Sequence, residues 1–386
     1  MKMGNIFDCE YENIKKDIEA LNQYVYDNPE LGLEEYRSST AHKELLEKHG
    51  FTVEMPYMGM DTAFRAVFDT GVMGRNIAYL SEYDALPGMG HGCGHNILGA
   101  ATTGSGILLS KVLKKGKVTV IGTPAEETIG GKVVLTDRGA FSDIDAVLCT
   151  HPDNKFYKSG TSLALESREY RFHGKTAHAS GNPEEGINAL SALILMFNNI
   201  DAIRQTLINN ETISGIITNG GEAANIIPDL AVGRFHIRAD NRENLDRLVA
   251  RVHNLAEAAA MTIGCTLDWE QYENRFLDLR TNKAMADVYD GIMEEMGITT
   301  VRFEGNPGSL DMGNVSYAVP SINPNFKITD DVEYSMHTVE FRDKTLGETA
   351  LTNLCIIIKA LAATGERTVE DDILYTKIRE EFNSVK

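Results

Sequence analysis

Cys93 and His95 stand two residues apart in the stretch Gly90-His91-Gly92-Cys93-Gly94-His95-Asn96, just ahead of an apolar run that reads as a helix. A thiolate beside an imidazole is ligand chemistry for a transition metal, with zinc the first candidate. The glycines free the backbone to meet ligand angles that an ordinary chain rarely satisfies. Further donors arrive at the ends of later strand-like segments. The run 117–124 delivers Glu126 and Glu127, the run 145–150 ends on His151-Pro152, and the segment 333–338 carries His337 ahead of a helix. Cys93, His95, Glu127, His151 and His337 are too many for one tetrahedral ion with an open position. They suit two divalent ions sharing a bridging ligand.

Donors at the carboxyl ends of successive strands are where open α/β sheets build their sites. The surrounding pattern fits that placement. Amphipathic helices are expected over 8–28 and 34–49, separated by the breaker cluster Asn28-Pro29-Glu30-Leu31-Gly32. Strands are expected over 51–58, 62–69 and 75–82, and a helix with small residues on its early turns over 97–114. This alternation predicts a mainly parallel or mixed sheet with helices on both faces.

Between about 162 and 275 the order changes. Strand 163–173, helix 185–207, strands 211–218 and 230–239, helix 242–260 and strand 265–271 give βαββαβ, the order of a ferredoxin-like split unit. Helix–strand alternation resumes from 283 and closes with a helix near 346–363. The expected organisation is therefore one α/β domain, 1–161 and 276–386, with a compact unit, 162–275, inserted in it. The helix through Ala189-Leu190-Ser191-Ala192-Leu193-Ile194-Leu195-Met196-Phe197 is apolar nearly all round and needs cover on two sides. A four-stranded sheet covers one; a second copy of the insert covers the other, which predicts a homodimer.

Composition narrows the class. At 386 residues two domains are the prior. No apolar stretch reaches membrane-spanning length, and the first residues lack a signal-peptide core. Five scattered cysteines argue for a reducing compartment, so a cytoplasmic enzyme is expected. The net charge of −19 repels nucleic acid and acidic membrane surfaces and disfavours anionic substrates at long range.

Several motifs carry a resemblance. Glu82-Tyr83-Asp84-Ala85-Leu86-Pro87, the Cys93–His95 loop, Thr123-Pro124-Ala125-Glu126-Glu127, Gly174-Lys175-Thr176-Ala177-His178-Ala179, Asn225-Ile226-Ile227-Pro228-Asp229 and Met336-His337-Thr338 occur in order. Together they resemble the peptidase M20 family of metal-dependent amidohydrolases, in the branch of auxin-conjugate, hippurate and aminobenzoyl-glutamate hydrolases. The resemblance implies a zinc-peptidase-like α/β catalytic domain with an inserted ferredoxin-like lid that dimerises. It implies two divalent metal ions per subunit, zinc first and manganese, cobalt or nickel as alternatives. Their ligands would be Cys93 as the bridge, His95, Glu127, His151 and His337, with Asp84 orienting the site from behind.

By the same resemblance Glu126 is the general base, His178 reaches the active site of the other subunit, and Asn225 and Arg238 contact substrate. The implied reaction is hydrolysis of the amide bond of an N-acyl amino acid, an aminobenzoyl-glutamate-like conjugate or a dipeptide. A narrow dipeptidase on unusual amino acids, a non-catalytic metal-binding scaffold, and a redox role for Cys93 are the competing readings. The segment Gly308-Ser309-Leu310-Asp311-Met312-Gly313-Asn314 reads as a helix start whose N–H groups, with Gly308 and Ser309 foremost, would take a substrate carboxylate. Leu310, Asn323 and Gly92 depart from the residues usual in relatives, threonine, histidine and alanine; the first two bear on the substrate rather than the reaction.

Overall fold

The structure is a computed structural model that describes residues 4–208, 210–330 and 332–384. It divides into two compact units. Of the described residues, the first contains those in 4–161, 279–305 and 314–384, and the second those in 162–278 and 306–313.

In the first unit, helices α1 (Gly4–Asp27) and α2 (Tyr36–Lys48) precede strands β1 (Thr52–Glu54), β2 (Phe64–Asp69) and β3 (Asn76–Ser81). Helix α3 (His95–Val112), strand β4 (Lys117–Gly122), helix α4 (Gly131–Asp137) and strands β5 (Ala146–Leu148) and β6 (His151–Asp153) follow. The second unit is β7 (Ala164–His173), α5 (Ala189–Ile203), β8 (Thr212–Asn219), β9 (Leu230–Ala239), α6 (Arg242–Ile263) and β10 (Thr266–Gln271). The chain continues through α7 (Lys283–Glu295), α8 (Met312–Ala318), β11 (Ser321–Ile322), β12 (Asn325–Lys327), α9 (Val339–Lys344), α10 (Glu348–Glu370) and α11 (Asp372–Ser384). No described helix is long and apolar enough to cross a membrane.

The main sheet is mixed, as the alternation predicts, in the order β1-β2-β4-β3-β5-β11. Its first two pairings are antiparallel, and β4, β3, β5 and β11 run parallel. All six residues of β3 are buried, so both faces of the sheet are covered at its centre. Helix α3 packs on β3 and β4 and is itself covered by α1 and α10. Its small residues are what allow this: a Cβ on Gly99 would lie 2.5 Å from the carbonyl oxygen of Glu82, and one on Gly106 2.4 Å from Val120. β1 is shorter than the run 51–58 suggests, because Pro56 cannot donate to a ladder.

In the second unit the strands pair antiparallel in the order β10-β7-β9-β8, the split-βαβ arrangement. Helices α5 and α6 pack on the sheet through Ala192, Leu193, Met196 and Ile200 and through Leu248, Val252, Ala256 and Ala259. α5 is shorter than the expected 185–207 because Asn188 caps it, its side chain accepting the N–H of Ser191 at 3.0 Å. Within this chain α5 is covered on one side: Ile194 is 46% exposed, and Leu190, Leu195 and Phe197 are half-buried.

Candidate metal centre and active site

The parallel strands place their donors at one end of the main sheet. β3 ends at Ser81 and leads directly to Glu82 and Asp84; β4 ends at Gly122 and leads to Glu126 and Glu127; His151 follows β5. The Cys93 loop closes over these ends and turns into α3 through Gly94, whose φ of 81° is the left-handed conformation that favours glycine. His337 is brought in by its backbone: its N–H donates to the carbonyl of Gly92 at 2.9 Å. Asn154 fixes the same segment, donating to the carbonyl of Tyr334 and accepting its N–H, at 2.8 and 2.9 Å. His337 sits at φ 61°, uncommon for a side-chain-bearing residue.

All five candidate ligands converge. Cys93 Sγ is 3.4 Å from His151 Nε2, and His337 Nε2 is 3.4 Å from Glu127 Oε1. His95 Nε2 is 4.0 Å from that same oxygen. The donors fall into two overlapping groups, Cys93–His95–His151 and Cys93–Glu127–His337, with the sulfur in both. A shared thiolate between two triads is the arrangement of a dinuclear site with a bridge.

The supporting contacts aim these atoms. His95 Nδ1 lies 2.9 Å from Asp84 Oδ1, and His151 Nδ1 lies 2.8 Å from the carbonyl oxygen of Pro152. Both partners accept, so each ring keeps its hydrogen on Nδ1 and turns Nε2 toward the cluster. The other oxygen of Asp84 accepts the backbone N–H of Glu127 at 2.9 Å, joining the two loops. His95 Nε2 and Glu127 Oε1 are buried and have no hydrogen-bond partner among the described residues. Orphaned polar atoms of that kind, in a sulfur–nitrogen–oxygen donor set, fit divalent cations.

The electrostatics agree. Burial works against a charged His95, yet Asp84 and Cys93 outweigh it and hold its pKa well above the ordinary value. Burial likewise opposes ionisation of Glu127, but His337 and His95 keep its carboxyl well below the usual range. Burial raises the Cys93 thiol and lowers His151. A field that so strongly favours a proton at His95 favours any cation in its place, and bound cations displace the thiol proton.

Glu126 lies with Glu82 and His95, one side-chain donor of each within 4.8 Å of the others. Its loop is held from beneath by Glu35, which sequence reasoning misses. Glu35 is fully buried; one carboxylate oxygen accepts the N–H of Ala125 at 2.8 Å and the other the hydroxyl of Thr62 at 2.8 Å. Ala125 is at φ 61°, so this turn needs an anchor. Burial pushes the Glu35 carboxyl up to about 7.

The other expected residues belong to the second unit. His178 is exposed, and its Nδ1 accepts the backbone N–H of Gly181 at 3.0 Å. Asn225 lies beside it: the N–H of Ala179 donates to the Asn225 carbonyl at 3.0 Å, and His178 bridges to Ile226. Arg238 is apart from them on β9, in register with Leu165 and Thr212. Gly308 and Ser309 are not on a helical first turn. The helix there begins at Met312 and is one of seven residues, while the carbonyl of Gly308 accepts the N–H of Leu163. The expected cradle of helical N–H groups around Gly308 and Ser309 is thus absent from that turn. Gly92 has its own reason: a Cβ there would sit 2.6 Å from the sulfur of Met89.

Comparison with known proteins decides the family. Residues 162–262 match the peptidase dimerisation domain of M20 enzymes. The chain is 33% identical to Xaa-Arg dipeptidase of Mus musculus over 94% of its own length and 88% of the relative's. This chain belongs to the M20 peptidase family. It is also 34% identical to a subunit of the p-aminobenzoyl-glutamate hydrolase of Escherichia coli, over 63% of this chain and 56% of that one. Among solved structures, the M20 fold recurs in a dinuclear metal binding peptidase from Bacillus subtilis, with TM-score 0.73, 20% identity, and coverage of 92% and 99% of the two chains. An aminobenzoyl-glutamate utilization protein from Klebsiella pneumoniae gives TM-score 0.67 at 18% identity, covering 90% and 98%. As an M20 enzyme the chain is a metal-dependent hydrolase of C–N amide bonds.

Proposed function

We propose that this chain is a dinuclear dipeptidase, and that Cys93, His95, Glu127, His151 and His337 are its ligands, with Cys93 shared. The observation that carries the reading is the convergence of these donors around two orphaned atoms, His95 Nε2 and Glu127 Oε1. The thiolate and imidazole content favours zinc, with manganese, cobalt or nickel as alternatives. Two such ions, when bound, would polarise the amide carbonyl and make water nucleophilic near neutral pH.

The chain's own residues supply the remainder. Glu126 accepts the proton of the attacking water and returns it to the leaving amine. Asp84 orients His95 and the Glu127 loop. His178 donates to the developing oxyanion from the partner subunit of a homodimer, and Asn225 and Arg238 hold substrate. The half-covered α5 and the dimerisation-domain match support that dimer. The five free cysteines support a reducing, cytoplasmic setting.

For the substrate, the Xaa-Arg name of the mouse relative and the net charge of −19 both favour a dipeptide with a cationic C-terminal residue over an anionic aminobenzoyl-glutamate conjugate. The test is a hydrolysis screen with defined added metals, comparing Xaa-Arg and Xaa-Lys dipeptides with aminobenzoyl-glutamate and N-acyl amino acids. Faster turnover of the glutamate conjugate overturns the substrate assignment.

A further inference from the structure

The five ligand candidates leave one buried carboxylate beside them without a role. Glu82 follows the last residue of β3 and is 5% exposed. Its Oε2 lies 3.1 Å from His95 Nε2, and its Oε1 lies 2.7 Å from the Nζ of Lys132. Lys132 is wholly buried on the first turn of α4. Its backbone is fixed there because a Cβ on the preceding Gly131 would sit 1.9 Å from the carbonyl oxygen of Pro124, so only glycine admits this approach.

A buried ion pair is a weak structural element, since apolar residues of the same volume stabilise a core as well or better. Its position suggests another use. Among the described residues His95 Nε2 has no hydrogen bond although Glu82 Oε2 is only 3.1 Å away, so the two atoms do not point at each other. They lie side by side, and an oxygen of Glu126 completes a group within 4.8 Å. With the His95 hydrogen committed to Asp84, a lone pair and a carboxylate oxygen at that separation call for a cation between them.

We propose that Glu82 is a sixth protein ligand of the centre, acting on the ion that His95 would hold, and that Lys132 fixes its carboxylate. The proposal rests on the metal-centre reading above. It makes the two positions unequal. One is deeply buried and backed by Glu82 and Lys132; the other includes His337, whose side chain is 53% exposed. The first ion should bind tightly and the second exchange readily.

The experiment is a titration of metal-stripped, full-length chain with Co²⁺, followed by calorimetry, metal content and the visible cobalt absorption. Wild type should take two ions of distinct affinity. Glu82→Gln keeps the volume and an acceptor for Lys132; it should weaken the tighter ion about 10–100-fold and alter its absorption band, while the weaker ion is unchanged. Glu127→Gln should instead weaken the second ion. Glu82→Asp, which keeps the charge but shortens the reach, should reproduce the loss and serves if the glutamine variant misfolds, as judged by circular dichroism of the apo chain. Wild-type chain that binds no cobalt refutes the metal centre itself. Two ions of unaltered affinity and spectrum in both Glu82 variants, with only the apo melting temperature lowered, refute this proposal alone and leave Glu82–Lys132 a structural pair.

Discussion

Asp84 Oδ1 lies 2.9 Å from His95 Nδ1 with both side chains buried, so the carboxylate dictates which nitrogen of the ring faces the cluster. In Asp84→Asn the amide can offer its NH₂ to Nδ1, which drives the ring hydrogen to Nε2, the atom that must be bare to bind a metal. Metal affinity should fall about 10–100-fold, the range for losing such a supporting contact. Calorimetric titration of the stripped variant checks this; affinity equal to wild type would remove Asp84 as the orienting group.

Glu126 and Glu127 are neighbours with different surroundings. Glu127 is held ionised by His337 and His95. Glu126→Gln should therefore retain both ions while kcat drops by at least about 10²-fold, the usual contribution of a general base. Metal content and steady-state kinetics on the same preparation separate the two effects. Substantial residual turnover in the fully loaded variant would reassign the base.

Glu35 makes a prediction about pH. Its folded pKa of about 7 lies above the ordinary carboxylate value, so between about 4.5 and 7 the folded chain binds the proton more tightly than the unfolded chain. The stabilisation from this group is full below the unfolded pKa and is lost as pH rises through the folded one. Glu35→Gln can still accept from Ala125 and donate to Thr62 without ever ionising. Its melting temperature should gain on wild type from pH 5 to pH 7.5, by no more than about 3 kcal/mol in stability. Parallel melting curves of the two proteins would sink the assignment. Glu35→Ala should instead lower kcat, because the N–H of Ala125 loses its acceptor and the turn carrying Glu126 slackens.

The unequal success of the sequence reading has physical reasons. Cys93, His95, Glu127, His151 and His337 can be picked out as candidates because Cys93 and His95 stand just ahead of an apolar run, Glu127 and His151 follow strand-like runs and His337 precedes a helix, and strand ends are where an α/β sheet gathers its donors. The βαββαβ insert is legible because its periodicity switches cleanly between strand and helix. Glu35 is invisible for the opposite reason: it acts on Ala125 from 90 positions away in the chain, through one backbone N–H. Glu82 reads as an ordinary strand-end carboxylate until Lys132, on another element, is placed beside it. Gly308 and Ser309 mislead because Ser-Leu-Asp resembles a capped start, whereas the chain turns helical only at Met312. The helix 185–207 reads too long because apolar content continues past Ile203, although Asn188 and the turn at Arg204–Thr206 bound it.

The last prediction concerns His178. It is exposed and hydrogen-bonds within its own turn, so its Nδ1 is taken and Nε2 is the atom left to act on a substrate. If that substrate sits in the partner's centre, a His178→Ala subunit is intact in its metal cluster but fails its partner, and a Glu126→Gln subunit is the reverse. Co-expressed with different affinity tags and purified as mixed dimers, the two dead variants should yield one working centre of two, hence about half the wild-type rate per dimer. A mixture in which His178 serves its own subunit yields nothing, because every centre then lacks one group. Losing a single oxyanion donor typically costs roughly 10²–10³ in kcat, so the recovered signal stands well clear of the background of either homodimer.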